Sequence, residues 1–480
     1  MKHILALGLI VPLFASAQTF SLNADWRFAK APQTIPLAQA KASVETAGVK
    51  VESAAFDDSA WEVVSVPHAI NALDSFDNRA VDEGEASLWR GMAFYRKRFA
   101  LPRMENVKWK MENEERKFFI SFETVRQTIY VWVNGQMVGY YEAGIAPVCF
   151  DVTDFVKAGE NLLVVATDNC AARGTKLFTL ETMPGHEPGD MSGRGYQWNT
   201  TDFNEVQGGL VGNATLHVKP KTYLTLPYYN NLKTVGTYVT AKDFDLASGS
   251  ATVVVKAEVR SECKMENGEW KIRATVVEPV TGKVLGESLS PRAATVRRAR
   301  DAGVRFLTAV EADAYDEKPL RTGFKGPETT VLTVEVPAKG LVFWSPDTPQ
   351  LYDVKVELVG GGSVMDCETI RTGFRQVAYD AEKGGLLING KNVWLTGYAQ
   401  RATDEWAAIG VAPDWLQDFD AQLIRASNAN FVRWMHVAPK PAPVRAFDKS
   451  ASSTCARRAT RKATCRDAAG RSVSRRCATR

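Results

Sequence analysis

Thr128-Ile129-Tyr130-Val131-Trp132-Val133-Asn134-Gly135-Gln136-Met137-Val138-Gly139-Tyr140 reads as a β-hairpin. Every residue from Thr128 to Val133 is β-branched or aromatic, the composition of a packed pleated surface. Asn134-Gly135 then supplies two positions that tolerate positive φ, as a tight turn requires, and the return strand follows at once. Outward from this hairpin, Lys117-Phe118-Phe119-Ile120-Ser121-Phe122 and Asn161-Leu162-Leu163-Val164-Val165-Ala166 have the same character. Many short strands with Gly and Asn turns, and no helical period, predict a jelly-roll β-sandwich over residues 18–220.

Residues 221–376 form a second β unit. Ala251 to Val259 alternates over its second half, and Lys271–Val277 and Tyr352–Val359 are further strands. Its size fits an immunoglobulin-like β-sandwich. Arg292–Ala302 and Ala312–Pro327 are polar and irregular, and read as inserted loops. Gly360-Gly361-Gly362 reads as a hairpin loop and not a phosphate cradle, because no helix start or Lys-Ser/Thr follows.

After Lys383 the pattern changes. Leu386-Leu387-Ile388 leads into Asn389-Gly390, and Val393-Trp394-Leu395 reads as a second short strand. Ala412-Pro413-Asp414-Trp415 opens a helix, with Pro early and Asp in the first turn. Trp415, Phe419, Leu423 and Ala426 recur at helical spacing and read as its core stripe. Asn428-Ala429-Asn430 ends the helix and Phe431-Val432-Arg433-Trp434 is a strand, so a parallel α/β structure opens here, over residues 384–449.

The chain begins like an exported protein. Lys2 and His3 precede an apolar run from Ile4 to Phe14, and Ala15-Ser16-Ala17 is a small-residue cleavage site before Gln18. The expectation is a signal peptide over residues 1–17 and a periplasmic or secreted protein. Residues 450–480 are of another kind, with eight Arg and one Lys against one Asp and no Ile, Leu, Met or aromatic residue. The whole chain carries +4 and this tail +8, so the remainder carries −4, and the basic balance is no argument for nucleic acid. Of the seven Cys three lie in the tail; the other four, Cys149, Cys170, Cys263 and Cys367, show no CxxC and no His pairing at zinc spacing and read as small buried thiols in strands, with a disulfide permitted by an oxidising compartment but no pair chosen by spacing, and with no metal and no cofactor implied.

Local motifs then give a resemblance. In the first unit they are Trp26-Arg27-Phe28, Asp57-Asp58-Ser59-Ala60-Trp61, Val66-Pro67-His68, Trp89-Arg90-Gly91, Phe94-Tyr95-Arg96-Lys97-Arg98-Phe99, Val131-Trp132-Val133-Asn134-Gly135, Phe150-Asp151-Val152-Thr153-Asp154 and Gly208-Gly209-Leu210. In the second they are Trp344-Ser345-Pro346-Asp347-Thr348-Pro349-Gln350-Leu351-Tyr352 and Thr372-Gly373-Phe374-Arg375; in the third, Leu387-Ile388-Asn389-Gly390-Lys391 and Leu395-Thr396-Gly397. In this order the chain resembles glycoside hydrolase family 2, the group of β-galactosidases, β-glucuronidases and β-mannosidases. Physically these residues read as scaffold: Trp61, Tyr95 and Trp132 as sandwich core, Asn134-Gly135 as a turn, Asp151 with Thr153 as a loop-ordering pair.

The resemblance implies a (β/α)8 barrel as the third domain and retaining hydrolysis of β-linked saccharides. That chemistry needs two carboxylates about 5–5.5 Å apart, both Glu in the family. A typical barrel takes about 250 residues, and the stretch from Leu386 to Lys449 reaches only its first two strands. The expectation is therefore no catalytic residue in this chain, Glu405 included, and no turnover. Substrate-contact candidates remain by resemblance. Arg433 and His436 match the Arg-x-x-His that follows the second barrel strand, with pairing to a barrel carboxylate as the other role open to Arg433. Arg401 stands in Gln400-Arg401 where relatives carry Arg-His; the missing His takes away the argument for galactose or any other specific sugar, and Arg401 suits an acidic or differently substituted one. Asp202 lies in a loop that reaches the pocket in some relatives, and as a residue it equally fits an ordinary loop aspartate. The implied partner is a carbohydrate, with no nucleic acid and no membrane. For the tail, codons for Ser450 to Lys462 read one base earlier admit Gly-Ile-Val-Asn-Val and then a polar loop, which is what a third barrel strand needs; the expectation is a lost reading frame. The alternative function is a non-catalytic carbohydrate-binding or scaffold fragment.

Overall fold

The computed structural model describes residues 18–31, 50–70, 92–102, 116–126, 128–142, 146–168, 208–229, 231–262, 270–291, 294–298, 328–401, 413–435 and 439–450, with short strand pieces at 453–454, 465–466 and 472–473. It divides into two compact units, Met1–Leu341 with Tyr352–Thr372, and Val342–Leu351 with Gly373–Arg480.

The first unit holds two sandwiches. Strands β1 (Gln18–Ser21), β2 (Trp26–Lys30), β3 (Glu62–Val64), β4 (Met92–Ala100) and β5 (Arg116–Phe122) come first. They are followed by β6 (Thr128–Val133), β7 (Gln136–Glu142), β8 (Val148–Asp151), β9 (Glu160–Asp168) and β10 (Ala214–Pro220). They form a four-stranded sheet, β1-β10-β5-β8, and a six-stranded sheet, β3-β2-β4-β9-β6-β7. Ile129, Val131 and Val133 enter the core between them with Trp26, Tyr95, Ile120, Leu163 and Leu216. Tyr130 and Trp132 are buried on the opposite face of β6, rings stacked at 6.1 Å. Burial on both faces explains why Thr128–Val133 shows no polar alternation. The expected turn forms with Asn134 at φ 52° and Gly135 at φ 82°, and the Asn134 side chain ties it to β9 by accepting from Leu162 N at 3.0 Å. Thr153 orders its loop by donating to Asp151 Oδ1 through both N and Oγ1.

Trp61 departs from the core expectation: it is half-buried and packs its ring on Phe56, 5.4 Å away. What organises this loop is charge. Arg96, fully buried, donates from Nε to Asp58 at 2.7 Å and bonds the carbonyls of Val51, Ser53 and Phe56. A buried guanidinium needs acceptors for its fixed fork of donors, and the loop supplies carbonyls as well as Asp58.

The second sandwich contains β11 (Thr222–Leu224), β12 (Thr237–Asp245), β13 (Ser250–Ser261), β14 (Lys271–Val277) and β15 (Val284–Leu289). It continues with β16 (Ala294–Arg298), β17 (Glu328–Lys339), β18 (Tyr352–Gly360) and β19 (Ser363–Thr372). A five-stranded sheet, β11-β13-β17-β16 with β12 on β13, faces a four-stranded one, β15-β14-β18-β19. Val253, Val255, Ile272, Val276, Leu332, Val334, Val354 and Val356 are buried. Gly361 (φ 59°) and Gly362 (φ 82°) turn the β18–β19 hairpin. The loop read over Arg292–Ala302 is corrected: β16 lies inside it, paired with β17 and, among the described residues, at the sheet edge. An edge strand has one neighbour, so its polar residues are tolerated and the pattern hides it. Ala312–Pro327 falls outside the described residues.

The sandwiches meet over the outer face of β5, β8 and β10. Phe119, Cys149, Tyr223 and Leu226 cluster there, with Tyr228 and Leu232 packed against them. Cys149 is the buried strand thiol that was expected, and Asn231 brackets its backbone, accepting from its N–H at 3.1 Å and donating to its carbonyl. His217 Nε2 and Ser121 Oγ lie 2.7 Å apart under the Tyr228 ring. Burial, with Lys219 adding repulsion, lowers His217 to about 4; burial, with Lys30, lowers His68 likewise to about 4. The fold therefore holds neutral imidazoles. Their contribution to stability is complete above the ordinary value of 6.5 and is lost as pH falls through about 4. The urea midpoint is expected to fall between pH 7 and pH 4, and by less in His217→Gln, which keeps a partner for Ser121. An equal fall in the variant would remove His217 from this account.

In the second unit, β20 (Val377–Asp380), β21 (Gly385–Ile388) and β22 (Lys391–Asn392) form an antiparallel sheet. Then β23 (Gly397–Arg401), α1 (Asp414–Ala426), β24 (Phe431–Met435), α2 (Pro441–Ser450) and β25 (Ser453–Thr454) follow, the three strands parallel in the order β23-β24-β25. Three readings are corrected here. Val393–Leu395 is not a strand: pairing stops at Asn392, Trp394 is exposed, and the strand before the helix is Gly397–Arg401. The Trp415–Phe419–Leu423–Ala426 stripe is exposed, while Leu416, Gln417 and Ala421 are the buried face of α1. Periodicity finds an apolar stripe, but only the neighbouring elements decide which stripe is covered. Leu386–Ile388 belongs to the antiparallel β20-β21-β22 sheet and not to the parallel structure read from residue 384, which begins at Gly397 and takes in Ser453–Thr454, parallel to Phe431–Val432. The helix end is as read, with Asn428 at φ 63°.

Three of the sequence motifs converge in this unit. Trp344, 1% exposed, donates from Nε1 to the Asp448 carbonyl of α2 at 2.9 Å. Arg375 lies over its ring at 4.5 Å, Asn389 donates to its carbonyl at 3.0 Å, and a Cβ at Gly373 would come within 2.8 Å of it. The motifs around residues 344, 373 and 389 thus build one joint.

Candidate functional site

The parallel sheet has two unlike faces. Val432 and Trp434 are buried on the helix side, where Trp434 meets Phe447 of α2 edge-on at 5.2 Å. Arg433 alternates to the other face and is exposed. Its register neighbour is the exposed Ala399, so the helix-free face is open around Arg433. Position 401 pairs with 435, at the C-terminal ends of β23 and β24. In open α/β sheets and barrels, ligands meet the chain at these ends. The structure therefore places two of the candidate positions on adjacent parallel strands, 401 at the C-terminal end of β23 and 433 mid-strand in β24, two residues short of that end. His436 and Asp202 lie outside the described residues.

Carboxylates are placed elsewhere. After Glu382 every described one sits on α1 or α2: Asp414, Asp418, Asp420 and Asp448. Asp414 pairs with Arg445 at 3.2 Å and Asp418 with Lys449 at 2.8 Å, lacing the helices together. A cavity of 620 Å³ between the helices is lined by Asp418, Gln422, Arg425, Ala426, Ala446, Lys449 and Ser450, on the helix side of the sheet. Among the described residues no group of three His, Cys, Asp or Glu could hold a metal ion, and no helix is long and apolar enough to cross a membrane. β23 itself escaped the sequence reading; its Gly-Tyr-Ala-Gln-Arg composition carries no strand signal, and parallel pairing to β24 makes it one.

The first sandwich holds a second node of motif residues. His68 Nδ1 and Tyr95 Oη share a hydrogen bond of 3.0 Å, and burial raises the Tyr95 phenol far above its usual range. Against them runs Gly208-Gly209-Leu210, held by His68 N to the Leu210 carbonyl, Ile70 N to the Gly208 carbonyl, and reciprocal bonds between Arg126 and Gly209. This strap brings the chain back into the sandwich before β10.

Comparison with known proteins matches residues 20–176 to "Glycosyl hydrolases family 2, sugar binding domain" and residues 235–375 to "Glycosyl hydrolases family 2". A beta-glucuronidase of Formosa agariphila is 30% identical over 435 residues, which is 90% of this chain and 37% of that protein. A beta-galactosidase of Thermoanaerobacter pseudethanolicus is 26% identical over 79% of this chain and 40% of its own length. The solved structure of a beta-glucuronidase from glycoside hydrolase family 2 superposes with a TM-score of 0.67 at 26% identity, covering 92% of this chain and 39% of that one. The chain thus spans well under half the length of these relatives. Since both sandwiches match domains of the same family in the same order, and full-length members align along most of the chain, it belongs to glycoside hydrolase family 2, of which it carries the N-terminal sugar-binding and immunoglobulin-like domains.

Proposed function

We propose that the chain is the sugar-binding and scaffold portion of an exported retaining glycoside hydrolase acting on β-linked saccharides, and that the 480 residues alone do not turn substrate over. The observation that carries this is the β23-α1-β24-α2-β25 succession after two sandwiches, in which every described carboxylate after Glu382 sits on a helix and none on a strand. Retaining chemistry places two carboxylates about 5–5.5 Å apart across the scissile bond, and such a pair belongs to later strands of a (β/α)8 barrel. The acidic sugar named in two of the relatives, together with Arg401 and Arg433, makes a β-glucuronide the first substrate to try. His436 and Asp202 are the further contact candidates.

The test is an assay of the purified chain on chromogenic β-glucuronides and β-galactosides. The expected result is no release above buffer. Turnover would overturn the claim that the catalytic pair is missing. Saturable binding of glucuronate without turnover is the result expected of the non-catalytic carbohydrate-binding alternative, which the match of residues 20–176 to a sugar-binding domain favours.

A further inference from the structure

We propose that the cavity between α1 and α2 is a further saccharide site, taking a small neutral sugar on the helix side of the parallel sheet. It is separate from the face that carries Arg433, which lies on the other side of β24, and it does not rest on the proposed hydrolase reading. Its 620 Å³ falls within the range of small-molecule sites, about 300–1,000 Å³. Ala426 of α1 and Ala446 of α2 stand in its wall, one small side chain from each helix.

The lining is charged but balanced. Lys449 pairs with Asp418 at 2.8 Å and Arg425 with Asp347 at 2.9 Å, so each cation already faces a carboxylate. No net charge is left to hold a phosphate, a free carboxylate or an amine, whose desolvation needs an unmatched counter-charge. A guanidinium, an ammonium and a carboxylate each keep hydrogen-bonding capacity beyond a single pairing. Gln422, exposed, adds a carboxamide that both donates and accepts. Donors and acceptors mixed at zero net charge suit hydroxyl groups, which do both at once.

A second observation comes from the apolar stripe of α1. Trp415 and Phe419 are exposed, while the buried face of the helix is Leu416, Gln417 and Ala421. Helical spacing sets Trp415 and Phe419 on the same flank as Gln422 and Ala426, so the aromatic stripe runs into the cavity wall. A pyranose carries hydroxyls around its rim and C–H bonds on its faces. Aromatic rings cover such faces, and the polar hollow beside them takes the rim.

The test is calorimetric titration of the purified chain with lactose, and with glycerol as the comparator. Saturable binding of lactose is expected, with no saturation by glycerol at the same concentration. Ala426→Leu fills the hollow with a helix-favouring side chain and leaves every charged group in place, and is expected to weaken lactose binding at least about tenfold. Gln422→Ala, at an exposed position, is expected to weaken it as well, which separates loss of the site from a packing defect in the first variant. Absence of saturation by lactose, equal saturation by glycerol, or unchanged affinity in both cavity variants overturns the inference. Loss of lactose binding in Arg433→Ala, with both cavity variants unaffected, would place the sugar on the opposite face, overturning the inference and leaving the proposed function standing.

Discussion

Gly209→Ala is expected to destabilise the first sandwich by about 4 kcal/mol, combining strain at positive φ with overpacking. Gly209 sits at φ +111°, where L side chains are rarely found, and an added Cβ would lie 2.6 Å from Tyr95 Oη and 2.7 Å from the His68 carbonyl. Neither neighbour can retreat cheaply. Tyr95 is wholly buried and bonded to His68, and the His68 backbone is pinned to Leu210. Gly159→Ala is the matched control. Its φ is +78°, but nothing lies within 4 Å of the added carbon, so only the backbone term of about 1 kcal/mol remains. Urea unfolding of both variants measures the difference. Equal losses would mean that contact at Gly209 plays no part.

The second large effect is expected at the junction of the sandwiches. Lys219, at the end of β10, bonds Asp366 of β19 at 2.9 Å, with side-chain exposures of 4% and 0%. Asp366 also accepts from Leu224 N at 2.9 Å. Burial raises the Asp366 carboxyl above its usual range, against the pull of Lys219 and its hydrogen bonds. Desolvation thus outweighs attraction in setting that direction, and the pair is costly to hold and costlier to break. Asp366→Ala leaves a buried ammonium without its counter-charge and Leu224 N–H without its acceptor, and is expected to cost about 3–5 kcal/mol. The double variant Lys219→Met with Asp366→Leu removes both charges at similar volume and is expected to recover most of that loss. A double-mutant cycle by urea unfolding reads the coupling. Additive losses would show that the two groups do not act as a pair.

Asn134-Gly135, the uniform apolar runs of β6 and β9, the Gly-Gly turn of β18–β19 and the helix stop at Asn428 were legible because each depends on local preference alone. β16 and β23 were not, because their strand character comes from one neighbour and not from their own composition. Trp61 and the Trp415 stripe were misplaced for a related reason: apolar character says that a residue can be buried, and only the packed neighbours say that it is. For the candidate site, the motif around Arg433 was readable and its exposed, helix-free face was not, since a strand buried on one side carries no mark of which side.

By itself the sequence determined the two β units, the helix-then-strand step from Asp414 to Trp434, and the family, because periodicity, turn residues and ordered motifs are properties of the chain. Only the tertiary structure decided that Trp344, Gly373, Arg375 and Asn389 form one joint, that Lys219 is buried against Asp366, and that Gly209 must lack a side chain. These are contacts between residues far apart in the chain. They arise where close packing leaves no room for a Cβ or no water for a charge, and no local pattern records either condition.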